Sequence, residues 1–225
     1  MIFNSDPGVY REQLLEDGYV HLKGILSDDF VQYIKDFYAK AMDDAADENK
    51  EWRITGKKRQ FVFEFPSDAA ALEFRAGIAR LTDMDEKKVT FSERHLKVYE
   101  ESAPAWPAPH KDRAASTYSI GLPVDLPQGS SVCVFPKMGA GPNLEERAVF
   151  IKDGDRTDFS ELYKTDDAVI LNEQVGDIVA FLGSALYHER VNAGGTAVLY
   201  IKMNDDGRDP LGENIFSRMP EKVEM

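Results

Sequence analysis

From about residue 90 to residue 204 the chain consists of short β-type runs separated by turn residues, with no amphipathic helix between them. Gly, Pro, Asn or Asp lies in most of the gaps, as expected between strands. Strands are predicted at about 90–100, 110–113, 116–124, 131–136, 146–151, 167–172, 177–182, 186–191 and 197–204. So many short strands without intervening helices predict a sandwich, a jelly roll or a barrel.

The first 89 residues show a different pattern, in which apolar residues recur at helical spacing. We predict helices over about 10–17, 28–44 and 69–82, with β-type runs at Tyr19–Leu22 and Gln60–Phe65. Ser27 caps the second helix, and Ser67 or Asp68 caps the third, whose core residues are predicted to be Leu72, Ile78 and Leu81. These helices are expected to brace one face of the β core.

The chain length of 225 residues fits one domain. Within it we expect a helical support over about 1–89, the β core over about 90–204 and a C-terminal extension over 205–225. No apolar run approaches the roughly 20 residues that cross a bilayer. The net charge of −13 disfavours nucleic acid and acidic membranes as partners. The single cysteine, Cys133, excludes an intramolecular disulfide, and a cytoplasmic location is expected.

A candidate metal site begins in the segment PAPHKDRAAS, where His110 and Asp112 are two residues apart. Side chains at positions i and i+2 of a strand point to the same face, so one short strand offers an imidazole and a carboxylate to a common point. Pro107 and Pro109 stiffen the approach to this strand.

A third ligand is predicted in QVGDIVAFLGSALYHERV. A turn at Gly176–Asp177 feeds a buried strand, the chain reverses near Gly183–Ser184, and the next strand carries His188. Two imidazoles and one carboxylate on one face form the ligand set of non-haem iron(II) oxygenases and leave coordination positions open. A structural zinc site would fill all four positions and would usually use cysteine. The other histidines, His21 and His95, have no such context.

With these residues, the sequence resembles the Fe(II)/2-oxoglutarate-dependent dioxygenase superfamily. HKD at 110–112, GDIVAFLGSALYHERV and the N-terminal stretch LLEDGYVHLKGILSDDFVQYIKDF resemble its phytanoyl-CoA dioxygenase and prolyl-hydroxylase-like branches. The resemblance implies a double-stranded β-helix, or jelly-roll, with cupin-like architecture. It implies iron bound by His110, Asp112 and His188, and dioxygen-dependent decarboxylation of 2-oxoglutarate coupled to substrate oxidation. Halogenating members usually have a small residue at the position of Asp112, so this carboxylate favours hydroxylation.

The sequence departs from the superfamily where an Arg usually follows the distal His by about ten residues, to pair with the far carboxylate of 2-oxoglutarate. Here Ala197, Val198 and Leu199 occupy that region. Three basic residues are alternatives, ranked as Lys202 on the next strand, Arg190 on the strand of His188, and Arg113. Arg113 should face away from the metal if its strand is regular. Tyr99, Thr117 and Tyr118 are candidates to hydrogen-bond the co-substrate.

The expected substrate is a small molecule, such as an amino acid or a biosynthetic intermediate, because no binding module is recognisable. Trp106, in the Pro- and Ala-rich segment before the first ligand, and Arg113 are candidate pocket residues. Two alternatives stay open at the level of sequence. One is a cupin-like oxygenase or isomerase that does not use 2-oxoglutarate. The other is a non-catalytic jelly-roll binding protein in which the His–Asp–His set is incidental.

Overall fold

A computed structural model describes residues 1–47, 58–127, 129–139, 141–151 and 158–219. Within these described ranges the α-helices all lie in the first 82 residues: α1 (Arg11–Asp17), α2 (Asp28–Asp47) and α3 (Asp68–Thr82). None of the described helices is long and apolar enough to cross a membrane. The strands are β1 (Tyr19–Leu22), β2 (Lys58–Val62), β3 (Thr90–Tyr99), β4 (His110–Lys111), β5 (Tyr118–Asp125), β6 (Ser131–Phe135), β7 (Val149–Phe150), β8 (Val169–Leu171), β9 (Ile178–Phe181), β10 (Tyr187–Val191) and β11 (Ala197–Asn204).

The strands form two antiparallel sheets. The larger sheet has the order β1-β9-β5-β11-β3-β2, and the smaller has the order β7-β4-β10-β6-β8. Successive strands of the chain alternate between the sheets from β3 to β6, as they do in a jelly roll. The alternation matters for function because it brings residues that are far apart in sequence to facing positions between the two sheets.

The helices cover the outer face of the larger sheet, as predicted. Leu14 of α1, Phe30 of α2 and Ile78 of α3 are buried in one apolar cluster with Leu96 and Ile201 of the sheet. Ser67 caps α3 by accepting a hydrogen bond from the amide of Ala70. The buried face of α3 carries Ala71, Phe74, Ile78 and Leu81, whereas Leu72 is only half-buried. The prediction that Leu72 is a core residue was therefore wrong. The buried face of the helix is centred on other positions, and Phe74 fills the core in its place.

Most strand boundaries agree with the sequence prediction, and the exceptions have local causes. The predicted strand at 60–65 is observed at Lys58–Val62, and Phe63 beyond its end is fully buried in a cluster of aromatic rings. The predicted strand at 110–113 is reduced to His110–Lys111, because the amide of Asp112 bonds to the carbonyl of Gly183 instead of continuing a ladder. Of the predicted C-terminal extension, 205–225, the structure describes residues 205–219, and the remainder lies outside the described residues.

Phe63 provides a test of this core. Its side chain is fully buried, and its ring lies 5.1 Å from the rings of both Phe37 and Phe65. We expect Phe63→Ala to lower the free energy of unfolding by about 3–5 kcal/mol, since it removes a large buried ring. Urea denaturation measures this change. The adjacent Val62 is 46% exposed, so Val62→Ala is the control and should change stability by less than about 1 kcal/mol. Equal effects of the two substitutions would contradict the packing described.

Candidate metal centre

The smaller sheet places His110 and His188 side by side. β4 pairs with β10 in the register that sets His188 opposite His110, and the two ring centroids lie 4.5 Å apart. Asp112 follows β4 directly. Its Oδ1 lies 3.6 Å from Nε2 of His110, and its Oδ2 lies 3.5 Å from Nε2 of His188. One ligand atom from each residue lies within 4.8 Å of the others, so the three can share one metal ion.

Both imidazoles direct the same nitrogen to this point. Nδ1 of His188 lies 2.9 Å from the carbonyl oxygen of Leu186, which can only accept, so Nδ1 carries the proton. Nδ1 of His110 lies 3.2 Å from a carboxylate oxygen of Glu189. An acceptor on Nδ1 leaves the Nε2 lone pair available, which is the usual arrangement behind metal-bound histidine.

The protonation states of the ligands follow from burial and charge. Burial lowers the pKa of His188 to about 4, so this ring is neutral at pH 7. Burial also acts to lower the pKa of His110. The charge of Glu189 and the hydrogen bonding of the His110 ring to Asp112 and Glu189 outweigh burial, so the pKa of His110 is raised. For Asp112, burial opposes ionisation, yet the charge of Lys202, the largest of the opposing causes, holds the pKa of the carboxyl well below its usual range.

Asp112 is held at four atoms. Its amide donates to the carbonyl of Gly183 at 2.9 Å, and its own carbonyl accepts from Nδ2 of Asn143 at 2.8 Å. In the side chain, Oδ2 accepts from the hydroxyl of Ser119 and Oδ1 accepts from the ammonium of Lys202, each at 2.6 Å. The carboxylate therefore has one orientation, fixed by Gly183 in the turn after β9, by Asn143 and by two strands of the larger sheet.

Gly183 makes this close approach possible. A Cβ atom at this position would lie 2.4 Å from Oγ of Ser119, 2.9 Å from Oδ2 of Asp112 and 2.9 Å from the backbone oxygen of Ser116. Because the last of these is a backbone atom, it cannot rotate away. The turn after β9 can pass behind the candidate metal site only with a residue that has no side chain.

A cluster of charges on the larger sheet faces the triad. Glu93 on β3 is buried, and its oxygens lie 2.8 Å from Nζ of Lys97, 2.6 Å from a guanidinium nitrogen of Arg113 and 3.6 Å from Nζ of Lys202. Burial opposes the ionisation of Glu93, but the charges of Lys202 and Lys97 keep its pKa well below the usual range. Charged side chains therefore form one wall beside the ligand set.

A cavity of about 520 Å³ opens beside His110 and Asp112. Its lining combines the charged residues Glu93, Lys97, Arg113 and Lys202 with apolar ones that include Pro104, Pro107 and Phe150. The half-exposed ring of Phe150 stacks on His110 with 5.0 Å between centroids.

A smaller space of about 30 Å³ adjoins this cavity and is bounded by Val132, Phe181 and Tyr200. It shares Asp112, Arg190 and Lys202 with the larger cavity. The size of the cavity suits a small molecule.

The predicted basic residues on β10 and β11 both face the interior, with different partners. Lys202 does reach inward from β11, but its ammonium lies against the candidate ligand Asp112 itself. Arg190 is fully buried and forms an ion pair with Glu173. Its guanidinium also donates to the hydroxyls of Tyr200 and Ser130, each at 3.2 Å.

Two expectations about individual residues, Tyr118 and Trp106, need correction. Tyr118 lies in the core beneath the helices, because Ser119, its neighbour on β5, takes the face towards Asp112. Trp106 packs against Tyr163, with 5.3 Å between ring centroids, and does not line the cavity. Arg113 lines the cavity, as its candidacy as a pocket residue requires, and contacts Glu93. It does not face away because β4 ends at Lys111, so strand alternation does not extend to position 113. Tyr99 lines the cavity, as its candidacy requires.

The sequence analysis missed several residues that build the site, above all Ser119, Asn143, Gly183 and Glu189. Strand alternation on β5 could have indicated Ser119. Glu189 gave no signal, because neighbouring strand residues are expected to face opposite sides. His21 and His95 have carboxylate partners that were not foreseen, since Nε2 of each lies 2.7 Å from Asp177 and Glu213, respectively.

Comparison with known proteins identifies the fold. No protein-family model matches the chain, and no curated protein matches it significantly in sequence. Among solved structures, a Pseudomonas putida prolyl-4-hydroxylase is similar over 89% of this chain and 100% of its own, with 15% identity and a TM-score of 0.53. The non-haem α-ketoglutarate-dependent carbocyclase SnoK of nogalamycin biosynthesis is similar over 94% and 90%, with 16% identity and a TM-score of 0.58. EctD from S. alaskensis, with 2-oxoglutarate and 5-hydroxyectoine, is similar over 89% and 77%, with 16% identity and a TM-score of 0.53.

The chain therefore has the double-stranded β-helix fold of the 2-oxoglutarate-dependent oxygenases. This confirms the predicted fold class and the predicted resemblance to that superfamily at the level of fold. The His–Asp–His set lies in this fold on β4, just after β4 and on β10.

Gly183→Ala tests whether the close approach behind Asp112 shapes the site. The added methyl group would displace Ser119 and Asp112, so we expect the affinity for Mn²⁺ to fall about tenfold or more. Titration followed by the electron paramagnetic resonance signal of free Mn²⁺ measures this affinity. Ala185→Ser, in the same turn, is the control and should leave the affinity unchanged. An unchanged affinity in Gly183→Ala would show that Asp112 does not depend on this contact.

Proposed function

We propose that this protein is an iron(II)- and 2-oxoglutarate-dependent dioxygenase that hydroxylates a small molecule within a single catalytic domain. One observation carries the proposal: two imidazole Nε2 atoms and one carboxylate converge, while the Nδ1 atom of each ring is engaged elsewhere. The fold, shared with solved oxygenases of this class, supports the same conclusion.

The donor set suits iron(II) better than a structural metal. Two nitrogens and one carboxylate oxygen leave coordination positions free on the cavity side, where a co-substrate and dioxygen can bind. Bound iron(II) would supply oxygen activation coupled to the decarboxylation of 2-oxoglutarate to succinate and CO2. The protein's own residues would hold the iron through His110, Asp112 and His188 and line the cavity in which co-substrate and substrate bind.

Charge balance supports a dianionic co-substrate. Asp112 and Glu93 are compensated by Lys202, Lys97 and Arg113, while Arg190 is compensated by Glu173. The carboxylate of Glu189 adds one further negative charge beside His110. The charges that the protein contributes thus balance, and a divalent metal adds two positive charges that one dicarboxylate neutralises. A charge in such a site is stable only when it is paired.

We propose Arg190, in place of Lys202, as the anchor for the far carboxylate of 2-oxoglutarate. Arg190 lies two residues beyond His188 on β10, about 7 Å further along the strand. That separation matches a five-carbon dicarboxylate with its keto end at the metal. Three of the five guanidinium N–H groups donate to Glu173, Ser130 and Tyr200, which leaves two for a ligand. Tyr99, which also lines the cavity, is proposed to contact the same molecule.

A second candidate function, a metal-dependent oxygenase of the same fold that does not use 2-oxoglutarate, is favoured by one observation. The guanidinium of Arg190 already has a buried carboxylate partner in Glu173. If Glu173 occupies Arg190 in the position that a 2-oxoglutarate carboxylate would otherwise take, 2-oxoglutarate is not the reductant. The electrons that reduce dioxygen must then come from the substrate.

Turnover without the true substrate tests the leading proposal. Purified protein with iron(II), ascorbate and 2-oxoglutarate should release succinate slowly, and Asp112→Ala and His188→Ala should abolish this release because each removes a proposed ligand. Glu161→Gln, a substitution of an exposed residue, is the control and should retain the full rate. Binding of iron(II) without binding of 2-oxoglutarate would favour the second function.

The paired substitution Arg190→Met/Glu173→Gln tests the anchor without leaving a buried charge unpaired. We expect the KM for 2-oxoglutarate to rise at least about 30-fold, because a buried charge pair with the co-substrate is lost. The affinity for Mn²⁺ should not change, since neither residue is a proposed ligand. An unchanged KM, with normal succinate release, would remove Arg190 from the co-substrate site.

A further inference from the structure

The ammonium of Lys202 contacts the carboxylate that is also the proposed metal ligand, that of Asp112. Nζ of Lys202 lies 2.6 Å from Oδ1 of Asp112, and that oxygen is also the one that lies 3.6 Å from Nε2 of His110. The Lys202 side chain is only 10% exposed, so its charge is poorly screened by solvent. The second carboxylate within its reach, Glu93, is farther away at 3.6 Å.

The other oxygen of Asp112 has a neutral partner. Oδ2 accepts from the hydroxyl of Ser119 at 2.6 Å and faces Nε2 of His188. Each carboxylate oxygen offers about two lone-pair directions, so each has one left once these bonds are made. A metal that chelated both oxygens of Asp112 would need the remaining lone pair of each oxygen and would come close to the fixed ammonium of Lys202. A metal bound only to Oδ2, on the Ser119 side, would stay farther from that ammonium.

We propose that Lys202 is a positioning residue that acts through Asp112, restricting this carboxylate to one-oxygen coordination and lowering the affinity of the site for its metal. The proposal rests on the proposed function of the site as a metal centre. A carboxylate that occupies one coordination position keeps the remaining positions open for co-substrate and dioxygen. The lysine therefore favours an open coordination sphere at the expense of tight metal binding.

Repulsion between like charges determines whether Lys202 raises or lowers the affinity for the metal. An ammonium fixed beside a ligand oxygen stabilises the carboxylate of the metal-free protein and repels a divalent cation in the metal-bound protein. Removing the ammonium should therefore destabilise the metal-free protein and strengthen metal binding. A lysine that merely filled space would change the stability of both forms equally and would leave metal affinity as it was.

The test is a comparison of Lys202→Met with the wild-type protein, using Mn²⁺ as the probe. We expect the dissociation constant for Mn²⁺ to fall at least about tenfold, together with a lower Tm without metal and a larger rise in Tm on adding metal. The visible spectrum of the Co²⁺-loaded protein should also change, because the absorption of Co²⁺ depends on its coordination number. An equal or weaker affinity for Mn²⁺ in Lys202→Met would overturn the proposal.

Lys97→Met is the matched control. It removes the same charge from the same cavity, but from an ammonium that lies 2.8 Å from Glu93. We expect its dissociation constant for Mn²⁺ to change less than about threefold, since only the more distant charge is lost. An equal gain in affinity in both variants would reduce the effect to the general charge of the cavity and would overturn a specific role for Lys202.

Two further measurements keep the outcomes distinct. Lys202→Gln retains a hydrogen-bond donor without the charge, so it should also bind Mn²⁺ more tightly and serves if Lys202→Met does not fold. Wild-type protein that binds no Mn²⁺ would contradict the proposed function itself. Wild-type protein that binds Mn²⁺ through Asp112, with no gain in either Lys202 variant, would contradict only this inference.

Discussion

The structure of the site depends on the immobilisation of one carboxylate, that of Asp112. Its amide and carbonyl are bound by Gly183 and Asn143, and its two side-chain oxygens are bound by Ser119 and Lys202. Ser119 and Lys202 lie on strands of the larger sheet, and Gly183 and Asn143 lie in loops, whereas Asp112 itself follows β4 of the smaller sheet. The orientation of the proposed ligand is therefore a property of the whole jelly roll, and the site cannot form until the two sheets have closed on each other.

Burial of so many charges is stable only because each has a partner. Glu93 contacts Lys97, Arg113 and Lys202, so the larger sheet contributes a connected charge network rather than isolated ions. Removing one member of such a network leaves its partner buried and unpaired, which is more destabilising than the loss of an exposed ion pair. A metal ion fits this network because it brings positive charge that an anionic co-substrate can balance.

The sequence predicted the fold well because hydrophobic periodicity and turn residues are local signals. It predicted the three candidate ligands because residue type and the Gly-Asp turn before β9 are also readable locally. Predictions failed where they depended on the exact end of a strand or on which face a strand turns inward. Because β4 ends early, Arg113 lines the cavity and does not face away from it, and the side of β5 that carries Tyr118 lies beneath the helices. The partner of Lys202 could not be foreseen, because it depends on how the two sheets face each other.

A crystal structure of the protein grown with Mn²⁺, with anomalous difference density used to locate the ion, tests the central claim most directly. The account predicts one strong peak, bonded to Nε2 of His110, Nε2 of His188 and a carboxylate oxygen of Asp112, with its open side facing the cavity. An ion bound through Nδ1 of either histidine, or no peak between these three residues at saturating Mn²⁺, would contradict it.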